Sequence, residues 1–86
     1  MARYSLLIKP SAAKEIEAVP KIDRLRIIER IHSLSTDPRP PGHEKLAGDD
    51  KYRIRQGNYR ILYSINGNEL IVVVVKVGHR REVYRK

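Results

Sequence analysis

Eighty-six residues carrying a formal net charge of +8 bound the problem: one domain with one modest core, whose natural partner is a polyanion. A 41% apolar content supports a globular fold, and the absence of cysteine excludes a disulfide framework and any thiolate metal site. The longest apolar run, Leu70–Val75, is far short of the ~20 residues of a membrane span, and Arg3 and Lys9 interrupt the N-terminal apolar stretch, so a cytoplasmic protein without membrane contact is expected.

Tyr4–Ile8 is a short β-compatible run closed by Lys9-Pro10, which cannot continue a ladder, and it reads as a strand. Ser11 is placed as the cap of a two-turn helix, Ala12–Val19, with Ala13, Ile16 and Val19 inward and Pro20 dividing it from a longer one. In that second helix Ile22, Leu25, Ile28, Ile31 and Leu34 recur every three residues beside Ile27, which predicts an inner stripe, with Arg24, Arg26, Glu29 and Arg30 outside. Thr36-Asp37-Pro38 ends it. Asp37–Gly42, with three prolines and a glycine in six residues, is expected to be a stiff, mostly extended connector.

Tyr52–Gln56 and Tyr59–Ser64 flank Gly57-Asn58, which predicts a two-residue hairpin with a type II′ turn. Counting back from that turn sets Arg55 opposite Arg60, Ile54 opposite Ile61 and Tyr52 opposite Tyr63. Alternation then gives Tyr52, Ile54, Ile61 and Tyr63 to the core and Arg53, Arg55 and Arg60 to the other, solvent-facing side. Asn66-Gly67 signals a second hairpin into Leu70–Val77, by a two-residue turn or by the three-residue loop Asn66-Gly67-Asn68. Because Leu70–Val77 is apolar at both parities it should lie inside the sheet, with Tyr4–Ile8 on its free edge.

All of the net charge arises from Lys51–Arg60 and Lys76–Lys86; elsewhere nine basic residues meet nine acidic ones. An up-and-down meander brings Gly78–Arg81 to the level of Tyr59, so the two basic segments should converge. Two arginines facing each other across a non-hydrogen-bonded position repel, and either splay into water or share an anion. Arg53 on the same face and the second basic segment favour the anion. His79 brings to this cluster an imidazole, the side chain that exchanges protons near neutral pH, and Tyr84 offers a ring or hydroxyl to a base. His32 and His43 read as structural or solvent-facing, Tyr52, Tyr59 and Tyr63 as sheet packing, and no spacing reads as a metal site.

The run Lys45-Leu46-Ala47-Gly48, then Tyr52-Arg53-Ile54-Arg55-Gln56-Gly57-Asn58-Tyr59-Arg60-Ile61-Leu62-Tyr63, then Val77-Gly78-His79-Arg80-Arg81-Glu82-Val83-Tyr84, resembles the RelE family of type II toxin–antitoxin toxins. The resemblance implies a single α+β domain over residues 1–86, with two N-terminal helices on one face of a mainly antiparallel four-stranded sheet in the order β-α-α-β-β-β. It implies a ribosome-dependent endoribonuclease that cuts messenger RNA in the A site by 2′-OH attack, without metal or cofactor, silenced by an acidic RelB-like antitoxin. By position Arg60 matches the family arginine on the scissile phosphate, Arg80 the one that stabilises the leaving oxygen, and Tyr84 the tyrosine that holds substrate. Arg53 and Arg55 stand where well-known members carry lysines, one of them a proposed base. An arginine braces charge but takes a proton poorly, which makes His79 the candidate base or relay. The expected catalytic set is Arg55, Arg60, His79, Arg80 and Tyr84, with Lys51, Arg53, Arg81 and Arg85 contacting RNA. The alternatives are a ParE-like toxin that poisons DNA gyrase and an RNA-binding module without catalysis.

Overall fold

The computed structural model describes residues 3–46 and 50–79. Strand β1 (Ser5–Ile8) leads into helices α1 (Pro10–Glu17) and α2 (Lys21–Ser33), followed by strands β2 (Glu44–Lys45), β3 (Lys51–Gln56), β4 (Tyr59–Asn66) and β5 (Ile71–His79). They form one sheet in the order β1-β5-β4-β3-β2, with β1 parallel to β5 and the other neighbours antiparallel. The expected α+β class and helical layer are present, and the short β2 makes five strands of the expected four.

Both helices cover one sheet face. Ala12, Ile16 and Val19 pack with Ile27, Ile31 and Leu34 over Tyr52, Ile54, Ile61, Tyr63, Val72, Val74 and Val77. Pro10, not Ser11, opens α1: proline's fixed φ suits the first helical position, and Lys9 precedes it without a side-chain cap. Ala12 rather than Ala13 consequently faces inward. In α2 the three-residue stripe divides, because each step of three rotates the helix by about 60° away from the previous side chain. Ile27, Ile31 and Leu34 keep to one side and are buried, whereas Ile22 and Leu25 are 68% and 56% exposed and Ile28 is exposed to a lesser degree.

The β3–β4 hairpin has the expected register from Gln56↔Tyr59 to Tyr52↔Tyr63. Gly57 takes φ +61° and Asn58 an ordinary negative φ, the combination of a type II′ turn. The β4–β5 connection is neither of the two expected loops. Asn66 pairs with Ile71, leaving four residues in the turn, where the Asn66 side-chain carbonyl accepts the Glu69 N–H at 2.9 Å and Leu70 takes φ +56°.

One irregularity decides what the end of β5 presents. Leu62 pairs with Lys76 but Tyr63 with Val74, so Val75 is an extra, unmatched residue. This bulge turns Val77 into the core, where strict alternation from Val72 and Val74 would have turned it out. β1 ends at Ile8, opposite Val74, and beyond it Glu15 of α1 takes over that edge of β5. The Glu15 Oε1 accepts the Val77 N–H at 2.8 Å while Oε2 receives Lys76 Nζ at 3.0 Å.

The proline-rich connector is fastened rather than simply extended. Tyr63 Oη, buried, donates to the Pro38 carbonyl at 2.7 Å, and Tyr52 stacks on Tyr63 with ring centroids 5.8 Å apart. Arg39 lies over the Tyr52 ring, and His43 Nδ1 is 2.8 Å from the Pro40 carbonyl oxygen. His43 therefore has the structural place expected of it, and His32 is exposed on α2.

Candidate nucleic-acid interface

The sheet face away from the helices is set by alternation. Lys51, Arg53 and Arg55 of β3 share it with Arg60 and Leu62 of β4 and with Lys76 and Gly78 of β5. Arg55 and Arg60 are direct cross-strand partners, and Arg60 has Gly78 on its other side. The two arginines differ in exposure. Arg55 is open to solvent, but Arg60 is only 4% exposed, which corrects the expectation of a solvent-facing side chain. A guanidinium so placed is largely withdrawn from water, and its charge is screened less there than at an exposed site.

Arg53 has a partner that sequence reasoning missed. Glu44, on the edge strand β2, stands opposite it and accepts from Arg53 Nε at 3.0 Å and from its Nη2. The Arg53 hydrogen bond and charge, followed by the charges of Arg55 and Arg60, hold the Glu44 carboxyl below the usual carboxylate range. It is the only acid in any of the five strands. A two-residue strand has no periodicity to betray it. Lys51, half-buried opposite Ser64, begins the row roughly 13 Å from Arg55 at the usual rise per residue. Lys76 is drawn to Glu15 instead.

The second basic segment reaches the expected level: Tyr59 pairs with His79 and Arg60 with Gly78. His79, however, stands on the helix side. The Val75 bulge reverses its facing, and its ring meets Tyr59 edge-on at a centroid distance of 5.7 Å. The structure thus separates His79 from Arg55 and Arg60, with which the sequence reading grouped it as base. Arg80, Arg81, Tyr84 and Arg85 lie outside the described residues. Among the described residues no three His, Asp or Glu side chains gather as a metal site, and no helix is long and apolar enough to cross a membrane.

A small α+β domain with one sheet face sealed by two helices and the other set with arginines is the architecture of a toxin from the RelE/ParE superfamily. Residues 6–84 match the family model described as ParE toxin of type II toxin–antitoxin system, parDE, and the chain belongs to that family. The curated toxin RelG of Mycobacterium tuberculosis is 29% identical over 87 residues, covering 96% of this chain and 98% of RelG. Among solved structures, the archaeal RelE–RelB complex from Pyrococcus horikoshii OT3 superposes with a TM-score of 0.82 at 30% identity, covering 93% of this chain and 97% of its counterpart. The isolated Escherichia coli RelE toxin gives 0.78 at 29% identity, with coverages of 94% and 90%. The resemblance carried by the Lys45–Gly48, Tyr52–Tyr63 and Val77–Tyr84 runs is thus one of fold as well as of sequence.

Proposed function

We propose that this toxin cleaves messenger RNA in the ribosomal A site and so arrests translation. The observation that carries the reading is the Arg55–Arg60 pair, two guanidiniums held across adjacent strands on an open sheet face, one exposed and one buried. That geometry suits a phosphodiester passing to a phosphorane, which gains negative charge without needing a metal. The ribose 2′-oxygen attacks the adjacent phosphorus, the P–O5′ bond breaks, and the products are a 2′,3′-cyclic phosphate and a 5′-hydroxyl. Arg55 and Arg60 brace the equatorial oxygens. Arg80 stabilises the departing oxygen and Tyr84 holds the substrate, as the family motif implies; Lys51, Arg53, Arg81 and Arg85 draw in neighbouring phosphates.

The 2′-hydroxyl proton needs an acceptor on the arginine side, and among the described residues Glu44 is the carboxylate there. Held below its usual range, it is a weak base. A site rich in cations and poor in base cuts free RNA slowly, so the ribosome must supply the orientation of the codon. This work on ribosomes places the protein in the cytoplasm.

The cognate antitoxin is the natural occupant of the exposed stripe Ile22, Leu25 and Ile28, flanked by Lys21, Arg24 and Arg26. An acidic amphipathic segment fits that combination, and a RelE–RelB complex is known for the P. horikoshii relative.

The test is a purified translation system with a defined message. Cleavage ends mapped inside translated codons, dependent on ribosomes and carrying a cyclic phosphate, are expected. Inhibition of DNA gyrase supercoiling with the message left intact would instead establish the ParE-type reading, which the family model's name favours.

A further inference from the structure

A hollow of about 260 Å³ opens beside the arginine face but on the other side of the sheet, where β1 has ended and β5 continues with β4 as its strand neighbour. Its walls are Glu15, Ala18 and Val19 from α1 and the α1–α2 corner, Tyr59 at the start of β4, and Gly78 and His79 at the end of β5. Tyr59 and His79 meet at an interplanar angle of 76°, so they form a corner of two aromatic walls. Glu15 supplies the polar end. Each of its oxygens already accepts one hydrogen bond, from Val77 N–H and from Lys76 Nζ, and a carboxylate oxygen can accept a second.

We infer that this hollow is a nucleobase pocket and that it sets which base the toxin prefers next to the scissile phosphate. The inference rests on the RNA-cleaving reading of the arginine face. Tyr59 is the chain neighbour of Arg60, and His79 of Gly78, so one residue step over the end of the sheet links phosphate site and pocket. A nucleotide whose phosphate lies on Arg60 can turn its base over that end. The base lies against one ring of the corner with its edge against the other, and stacking on aromatic side chains tolerates any base. Glu15 makes the choice. A carboxylate receives exocyclic amino groups, which cytosine, adenine and guanine carry and uracil lacks. Uracil offers the acid only its N3–H, flanked on both sides by carbonyl oxygens that repel the carboxylate, and is disfavoured.

The experiment uses four labelled oligonucleotides that share a non-cleavable 2′-deoxy linkage and differ at one flanking position: cytosine, guanine, uracil or an abasic sugar. Binding to the full chain is measured by fluorescence anisotropy, with Ala18→Leu filling the hollow and Glu15→Gln keeping an acceptor for the Val77 N–H. The wild type should bind cytosine or guanine over uracil at that position by at least about fivefold, the low end of what one paired base edge confers. Ala18→Leu should bring every base down to the abasic level, and Glu15→Gln should abolish the discrimination against uracil while retaining the gain from stacking. Equal binding of base-bearing and abasic oligonucleotides, unchanged by Ala18→Leu, would overturn the pocket and leave the arginine site standing. Failure of all four to bind would remove the RNA reading itself.

Discussion

Replacing Glu44 by glutamine removes the one acid that, among the described residues, shares a sheet face with Lys51, Arg53, Arg55 and Arg60. In the wild type the Arg53 guanidinium is committed to Glu44 through both Nε and Nη2, and so meets a phosphate only at the expense of that pair. Glu44→Gln leaves the size of the side chain unchanged and releases Arg53 for one additional phosphate contact. For single-stranded nucleic acid each contact steepens the dependence of log K on log salt by about 0.7. Over the fourfold range from 50 to 200 mM, a slope steeper by that amount costs the variant about 2.6-fold more affinity than the wild type. Anisotropy titrations of a non-cleavable oligonucleotide should thus show Glu44→Gln binding about three- to fivefold tighter at 50 mM and converging on the wild type as salt rises. The same substitution removes the proton acceptor, so cleavage on the ribosome should fall while affinity rises. Acid should imitate it for binding. Arg53 holds the carboxyl below its ordinary value of 4.5, so wild-type affinity should begin to climb only below that pH as Glu44 is neutralised. An unchanged salt slope, or weaker binding by the variant, would refute the view that Glu44 restrains Arg53.

The two central arginines should separate by stability. Arg55→Ala is expected to lower cleavage by about 10²- to 10³-fold with an unchanged melting temperature, because its side chain is exposed. Arg60→Ala should lower cleavage similarly and also lose the packing of a 4%-exposed stem, about 2 kcal/mol or ~10 °C in a domain of this size; a variant as stable as the wild type would contradict that burial. Tyr63→Phe removes a buried hydrogen bond to Pro38 and should cost about 1 kcal/mol, read as a lower denaturant midpoint at constant m-value. Burial pushes the Tyr63 hydroxyl from 10 up to about 12, so the folded state holds its proton longer than the unfolded chain. That contribution is intact below pH 10 and is lost as pH rises toward 12, and the gap between wild type and Tyr63→Phe should narrow across the same window. Antitoxin binding should weaken with salt, and Leu25→Asp, on the exposed stripe of α2, should weaken it further without lowering the melting temperature.

The β3–β4 hairpin was legible residue by residue, because Gly57-Asn58 fixes a short turn and alternation does the rest. The place of β1 at the free edge of β5 followed from the doubly apolar β5, whereas its parallel direction was not specified. The inward face of α2 was misread since a repeat of three looks like a stripe in sequence yet winds around the helix; the remainder, Ile22, Leu25 and Ile28, is exposed for the same reason that it was noticed. Arg60 was placed on the correct face, but its burial depends on what surrounds the strand, which alternation does not encode. Glu44 escaped notice because its meaning comes from a two-residue pairing with Arg53. Gly78 and His79 stand at the expected level beside Arg60 and Tyr59, but which side of the sheet His79 takes is not written in the alternation alone.

The side that His79 takes is decided in the run Val72–Val75, four identical side chains in which sequence offers no mark of the extra residue. With one valine unmatched, Lys76 and Gly78 take the arginine side while Val77 and His79 take the helix side. Deleting any one of the four valines produces the same chain, and Tyr63 and Leu62 then find consecutive partners without a bulge. Facing beyond that point is preserved, so the deletion should fold, keep the Glu15 bond to the strand edge and retain cleavage. Inserting a fifth valine lengthens the bulge or reverses every side chain after it, sending Val77 outward and Lys76 into the core, at the cost of a buried charge. Melting temperature and ribosomal cleavage measured on both variants should favour the deletion clearly. Equal loss in the two would mean that the bulge is itself required, through the added twist it gives the strand end, and that facing alone does not explain why the arginines and the aromatic corner occupy opposite sides of one sheet.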